Sequence, residues 1–231
     1  MSNYKHLFFD LDRTLSDFDG NNRNTMLELY TSFDLKNKLN VDFDLFFETY
    51  KTVNKMLWDA YEREEIKKEH LHVDRFHLTF KELKYDNLLM AVKFAEAYIE
   101  NVPKQNALMP YAKEVLEFLK PNFKLYIITN GFKELQHQKL QNSGIAHLFD
   151  DVFISESIGF QKPHIAFFEH ILEKTGATKE ESLIIGDNMK ADIQGAKNIG
   201  IASVLYNPNN ENDLEPDYRI DSLLELKEIL E

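Results

Sequence analysis

Apolar positions along this chain follow two patterns that alternate. Short, nearly unbroken apolar runs occur at Leu7 to Phe9, Leu125 to Ile128, Val152 to Ile154, Leu183 to Ile185 and Ile201 to Leu205. Runs of that length with no polar alternation predict parallel strands buried on both faces. Between them the spacing becomes helical. Val115, Leu116 and Leu119 share one face, in a helix that begins at Pro110 and is stopped by Pro121. Lys133 to Asn142 predicts another helix, with Gly144 as its C-terminal cap. Thr178 and Glu181 have capping-box spacing for a one-turn helix, and Ser222 and Glu225 repeat it before Leu223, Leu226 and Leu230, the final helix. Strands alternating with helices indicate an α/β fold, a doubly wound Rossmann-like parallel sheet.

The first strand is followed by something different. From Asp17 to Pro103 only helical periodicity is found: Met26-Leu29-Tyr30-Phe33, Phe46-Phe47-Tyr50-Val53-Leu57, Phe76-Phe80-Leu83 and Leu89-Val92-Ala95-Ile99. Residues 17–103 are therefore expected to be an inserted helical cap, a lid over the carboxyl edge of the sheet. Residues 1–16 and 104–231 are expected to make the core. The charge run Glu62 to Glu69 reads as a solvated helix end or turn, and the polar stretch Asn207 to Asp217 as an exposed loop.

Charge narrows the range of partners. The 231 residues carry 27 Lys and Arg against 39 Asp and Glu, a net charge of -12. Such a surface repels polyanions, so nucleic acid is not an expected partner. A small phosphorylated metabolite remains compatible, because lysines, amides and a divalent cation can reverse the sign locally. The chain has no cysteine, which fits a reducing cytoplasm. Neither a signal-peptide pattern nor an apolar run of membrane-spanning length is present, so no membrane partner is expected.

The candidate chemistry sits where the apolar runs end. Asp10-Leu11-Asp12-Arg13-Thr14 closes the first run, and its two carboxylates are spaced to face the same side of an extended chain. The pair suits nucleophilic attack by Asp10 on phosphorus, with Asp12 as acid and then base. Thr129-Asn130-Gly131 closes the second run with a hydroxyl and amide donors near a helix N-terminus. Lys162, before Pro163, offers an ammonium. Repulsion between Asp10 and an incoming phosphate is about 4 kcal/mol for two charges ~4 Å apart at an effective dielectric near 20, so a compensating cation is needed. Gly186-Asp187 closes another run, with Asn188 next and Asp192 beyond. Hard oxygen ligands beside a phosphate point to Mg²⁺. Asp192 is positioned to orient Lys162 or a metal-bound water, or to stabilise a helix start. Each motif alone is weak; all of them at strand ends of one doubly wound sheet would converge on one crevice.

With these motifs the chain resembles the haloacid dehalogenase superfamily, whose members are largely Mg²⁺-dependent phosphatases. The resemblance implies a Rossmann-like core with a cap inserted after the first strand. It implies Asp10 as nucleophile, Asp12 as acid/base, Thr129 and Lys162 as phosphate binders, and Asp10, Asp12 and Asp187 as metal ligands. Asn188 and Asp192 would stand behind them. Arg13 departs from the glycine commonest there, and Asn188 from serine. Dehalogenating members lack the second aspartate, so Asp12 argues for phosphoryl transfer.

A narrower resemblance, to the pyrimidine 5'-nucleotidase subgroup, rests on Val53-Asn54-Lys55, Leu57-Trp58, Arg75-Phe76, Thr129-Asn130-Gly131-Phe132 and Ile154-Ser155-Glu156. It implies a nucleoside monophosphate substrate held by Asn54, Lys55, Trp58 and Arg75 of the cap and by Asn130 and Gly131. Trp58 or Phe76 could stack on a base, or be cap-core aromatics. Other readings are a sugar-phosphate or phosphoglycolate phosphatase, a phosphoglucomutase, and a non-catalytic phospho-receiver. The last places its acceptor aspartate on a middle strand and lacks a large insert. The expected assembly is a monomer or a small homo-oligomer.

Overall fold

The short apolar runs pair edge to edge, as continuous burial requires. In the computed structural model, which describes residues 3–63, 65–206 and 215–231, the chain begins with β1 (His6–Phe9). Five helices follow it: α1 (Phe18–Ser32), α2 (Leu35–Leu39), α3 (Phe43–Glu62), α4 (Lys68–Glu82) and α5 (Leu88–Asn101). Then come α6 (Ala112–Leu119), β2 (Lys124–Thr129), α7 (Lys133–Asn142), β3 (Asp151–Ile154), the short α8 (Ser155–Ile158) and α9 (Ile165–Thr175). β4 (Ser182–Gly186) leads through a π-helical turn, Met189–Gln194, into α10 (Gly195–Ile199). β5 (Ala202–Tyr206), β6 (Tyr218–Ile220) and α11 (Leu226–Leu230) complete it. The chain divides into two compact units, Met1–Asp19 with Asn106–Glu231 and Gly20–Gln105.

In the first unit, the described strands form one parallel sheet in the order β3-β2-β1-β4-β5-β6. Strand periodicity splits its side chains between two cores. Leu7, Phe9, Leu125, Ile127, Leu183 and Ile185 join one cluster with Val115, Leu116 and Leu119 of α6 and Leu226 and Leu230 of α11. Phe8, Tyr126, Ile128 and Ile184 point the other way, onto Phe167, Phe168 and Ile171 of α9 and Ala196 and Ile199 of α10. Helices on both faces account for the lack of polar alternation in the strands.

The second unit consists of helices joined by short turns, with no strand among its described residues, because its apolar side chains recur with helical spacing. Asp42 caps α3 by accepting from the Leu45 amide at 2.9 Å, and Asn87 caps α5 through Met90 at the same distance. The core is aromatic. Phe94 lies 5.1 Å from Phe33 and from Phe76, 5.6 Å from Phe80 and 6.1 Å from Phe46, mostly edge-on or tilted.

Several local expectations are corrected. The buried face of α5 is Ala91, Phe94, Ala95 and Tyr98, and Leu89 is 65% exposed. A helix rich in apolar residues on every side offers two plausible faces, and the Phe33–Phe94 and Phe76–Phe94 contacts select this one. The helix expected from Pro110 starts at Ala112, since Tyr111 takes a left-handed conformation at φ 65°. Thr178 to Glu181 is a turn in which the Ser182 hydroxyl donates to the Thr178 carbonyl at 2.6 Å. Ser222 and Glu225 do form their capping box. β5 lies one residue later than the apolar run suggests. β6 is three residues with two exposed, too short and too polar to register as a strand. Positions 207–214 of the expected Asn207–Asp217 loop, and Glu64 of the charge run, lie outside the described residues. No described helix is long and apolar enough to cross a membrane.

Truncating Phe94 removes a fully buried ring that four others contact. Phe94→Ala is expected to destabilise the helical unit by about 3–5 kcal/mol, read as a lowered denaturation midpoint.

Candidate active site

The sheet order reverses direction between β1 and β4, so the chains leaving those strands turn to opposite faces and leave a crevice at their carboxyl ends. Phe9 is level with Ile127 of β2 and with Ile185 of β4. That register brings the residues just beyond β1, β2 and β4 to the same edge. Asp10 is fixed there by its own amide, which donates to the Ile185 carbonyl at 2.8 Å.

Lys162 ties these ends together. It is only 2% exposed, and its three ammonium protons are matched by three acceptors. These are Asp10 Oδ1 at 2.8 Å, the Ile128 carbonyl at 2.9 Å and Asp192 Oδ1 at 2.6 Å. Its backbone is clipped by Asn130, whose side chain donates to the Lys162 carbonyl and accepts from the Lys162 amide, both at 2.9 Å. The Asn130 side chain is thus occupied in holding the two loops together. Thr129 is buried, and its hydroxyl accepts from the Gly131 amide at 3.0 Å.

Asp10, Asp187 and Asp192 each place a carboxylate oxygen within 4.8 Å of the others. Asp192 has both oxygens engaged, one by Lys162 and one by the Asn188 amide at 3.1 Å. The Asn188 side chain caps the π-helical turn by accepting from Lys190 and Ala191. The Thr14 hydroxyl lies 3.4 Å from an oxygen of Asp10 and 3.4 Å from one of Asp187. Gly186 is required by close approach, because a Cβ there would overlap the Asp192 carboxylate.

Charge in this cluster is unbalanced: three carboxylates face one buried ammonium. Burial pushes the Asp10 carboxyl up to about 8, and repulsion from Asp192 and Asp187 adds to it against the pull of Lys162. Burial likewise raises Asp187 to about 7, with Asp192 reinforcing it and Arg13 and Lys162 opposing. Lys162 moves up as well: burial opposes its charge, but the attraction of Asp10 and Asp192 outweighs burial. Hard carboxylate donors with surplus negative charge are the chemistry that a divalent cation satisfies. Asp10 and Asp187 have the coordination capacity to take one.

Asp12 stands apart from this cluster. Both its oxygens accept from Lys139 of α7, at 2.9 Å each, and its carboxylate is not among the clustered donors. Lys139 was not singled out by the sequence, where it reads as one more polar residue of a weakly amphipathic helix. Arg13 sits at φ 69°, the left-handed region that a glycine would favour. Its guanidinium pairs with Asp19 at 2.9 Å and lies 4.7 Å over the Phe18 ring.

The remaining candidates lie in the helical unit. Lys55 is exposed and paired with Asp59 at 2.8 Å. Trp58 is half-buried, edge-on to Tyr61. Arg75 is buried over the rings of Phe76 and Tyr98. Asn54 Oδ1 and Tyr50 Oη, one helical turn apart on α3, are buried without a hydrogen bond among the described residues.

Comparisons place this geometry among known proteins. Residues 4–200 match the family described as haloacid dehalogenase-like hydrolase. Pyrimidine 5'-nucleotidase PynA of Streptococcus pneumoniae is 34% identical over 99% of this chain and 95% of its own. A glyceraldehyde 3-phosphate phosphatase of Methanothermobacter thermautotrophicus is 30% identical over 98% of this chain and 99% of its own. The crystal structure of the putative HAD-hydrolase YfnB from Bacillus subtilis, bound to magnesium, superposes with a TM-score of 0.90 at 31% identity, covering 98% of both chains.

The raised carboxyls give a pH test. Without metal, folded Asp10 and Asp187 hold protons that the unfolded chain loses near its ordinary carboxylate range. Their contribution to stability therefore falls as pH rises from about 4 toward 7–8. A cation that displaces those protons gains most where they are already lost. Stabilisation by excess Mg²⁺, read as a shift in thermal midpoint, is expected to be larger at about pH 8.5 than at about pH 6.

Proposed function

The chain belongs to the haloacid dehalogenase-like hydrolases, and on that premise we propose that it is a phosphomonoesterase working through an aspartyl-phosphate on Asp10. The observation that carries this reading is the buried Asp10–Lys162–Asp192 clamp with Asp187 beside it and a second carboxylate, Asp12, two residues on. In the proposed cycle an Asp10 oxygen attacks phosphorus as the ester P–O bond breaks, and Asp12, entering the step protonated on an oxygen that Lys139 has released, passes that proton to the departing oxygen. Water then attacks the same phosphorus, Asp12 accepts its proton, and the Asp10–phosphorus bond breaks to release phosphate. Lys162, once its bond to Asp10 is exchanged, and Thr129 hold the phosphoryl oxygens, joined by the Asn130 and Gly131 amides once the latter exchanges its bond to Thr129. Asp192 keeps Lys162 aimed, and Asn188 keeps Asp192 in place. Mg²⁺, held by Asp10, Asp187 and the Asp12 carbonyl, would supply positive charge for the phosphoryl oxygens.

The substrate we favour is a nucleoside 5'-monophosphate with a pyrimidine base. The likeness to PynA over nearly the whole chain supports it. For the nucleoside we propose Asn54, Lys55, Trp58 and Arg75 of the helical unit as contacts, with Asn54 Oδ1, unbonded among the described residues, as an acceptor. A triose or other sugar phosphate is the second reading, favoured by the glyceraldehyde 3-phosphate phosphatase of comparable coverage.

A panel of pyrimidine and purine monophosphates, triose and hexose phosphates and phosphoglycolate, assayed with Mg²⁺ and with chelator, tests both levels. Phosphate release that needs Mg²⁺, with the highest kcat/KM on pyrimidine nucleotides, is expected. A best substrate among the trioses would move the assignment to the second reading, and no release from any ester would end the phosphatase proposal. Asp12→Asn is expected to lower kcat by about 10²–10⁴-fold while circular dichroism stays unchanged.

A further inference from the structure

One buried cation takes no part in the chemistry described so far. Lys139 is 9% exposed, and its ammonium donates to both oxygens of Asp12. The same ammonium lies 5.2 Å over the ring of Phe18, which also carries the Arg13 guanidinium at 4.7 Å. Arg13 is in turn held by Asp19. A lysine is a flexible residue, and fixing one costs rotamer entropy. Here burial and the aromatic ring have already fixed it, so the carboxylate it grips has a set direction.

We propose that Lys139 is a positioning residue for the leaving-group proton transfer: it holds one oxygen of the Asp12 carboxyl while the other, released from the lysine, carries the proton that passes to the departing oxygen. This rests on the acid/base reading of Asp12 given above. Proton transfer in a transition state is sensitive to direction, and a misplacement of about 1 Å can cost on the order of 10²-fold. Asp12 lies three residues beyond β1 and beside Arg13, whose backbone is left-handed, and its side chain keeps 21% exposure. The contact from α7 restricts its rotamer. A purely structural ion pair would have the same distances, so the test must separate orientation from stability.

Leaving-group chemistry makes the separation. An alkoxide leaving from phosphorus needs a proton as the ester bond breaks. A p-nitrophenolate leaves as the anion and needs none. Because kcat/KM covers events up to transfer onto Asp10, the ratio of its values for the two esters isolates the protonation. Lys139→Met is expected to lower kcat/KM for an alkyl phosphomonoester such as ribose 5-phosphate by about 10–100-fold, with a much smaller loss on p-nitrophenyl phosphate. Lys139→Arg, whose guanidinium fork can reach both carboxylate oxygens, is expected to recover most of that loss. Equal losses on the two esters, or none on either, would overturn the proposal. If Lys139→Met does not fold, Lys139→Gln, which removes the charge but keeps a donor, is compared on the same two esters with the same criteria. Asp12→Asn measured alongside distinguishes the levels. If Asp12→Asn spares the alkyl ester, the acid/base reading fails and this inference with it. If Asp12→Asn selectively impairs the alkyl ester and Lys139→Met does not, this inference alone fails.

Discussion

A buried ammonium with no spare proton organises the candidate active-site edge of this protein. Lys162 spends its three donors on Asp10, the Ile128 carbonyl and Asp192, and so joins the ends of β1 and β2 to the turn that follows β4. Charges taken out of water are costly unless their hydrogen bonds are complete, and breaking one partner of such a set typically costs about 3–5 kcal/mol. The clamp therefore constrains its surroundings. Asn130 must hold the Lys162 backbone, Asn188 must donate to Asp192, and position 186 must lack a side chain for Asp192 to reach the lysine.

The hydrophobic architecture serves this edge by levelling it. Alternate residues of β1, β2 and β4 pack into separate cores on the two faces of the sheet, so a slip of one residue would send Phe8 and Phe9 to the wrong cores. That constraint holds the strand ends in register, and with them the acids. The clamp leaves one feature unresolved by protein alone: three carboxylates share one lysine, and the raised Asp10 and Asp187 carboxyls express that deficit. Surplus negative charge at a sheet edge, next to amides and a lysine, is a setting in which a divalent cation and a phosphate compensate one another.

Much of this was legible in the sequence, and for physical reasons. Strands buried on both faces leave unbroken apolar runs, and the candidate site residues at their ends sit beside those runs; the contact of Asp192 with Lys162 was one of the roles its spacing allowed. Features set by three-dimensional packing were not legible. Lys139 reaches Asp12 across 127 positions of chain, and nothing in Lys133-Glu134-Leu135-Gln136 separates its helix from a solvated one. The buried face of α5 is chosen by partners in other helices, not by its own period. β6 pairs with β5 over three residues, too few to show a pattern. Arg13 was visible as a departure from glycine, but its left-handed backbone and its pairing with Asp19 emerge only in three dimensions.

The central claim is that Lys162 holds Asp10 as the carboxylate that receives the phosphoryl group. Its most direct test is rapid acid quenching of the Asp12→Asn variant turning over p-nitrophenyl phosphate, whose leaving group needs no proton, followed by peptide mapping of the trapped acyl-phosphate by mass spectrometry. Phosphate on Asp10, and its absence when Lys162→Met is added, is the expected result. Phosphate on another residue would contradict the account, as would unchanged trapping on Asp10 without Lys162.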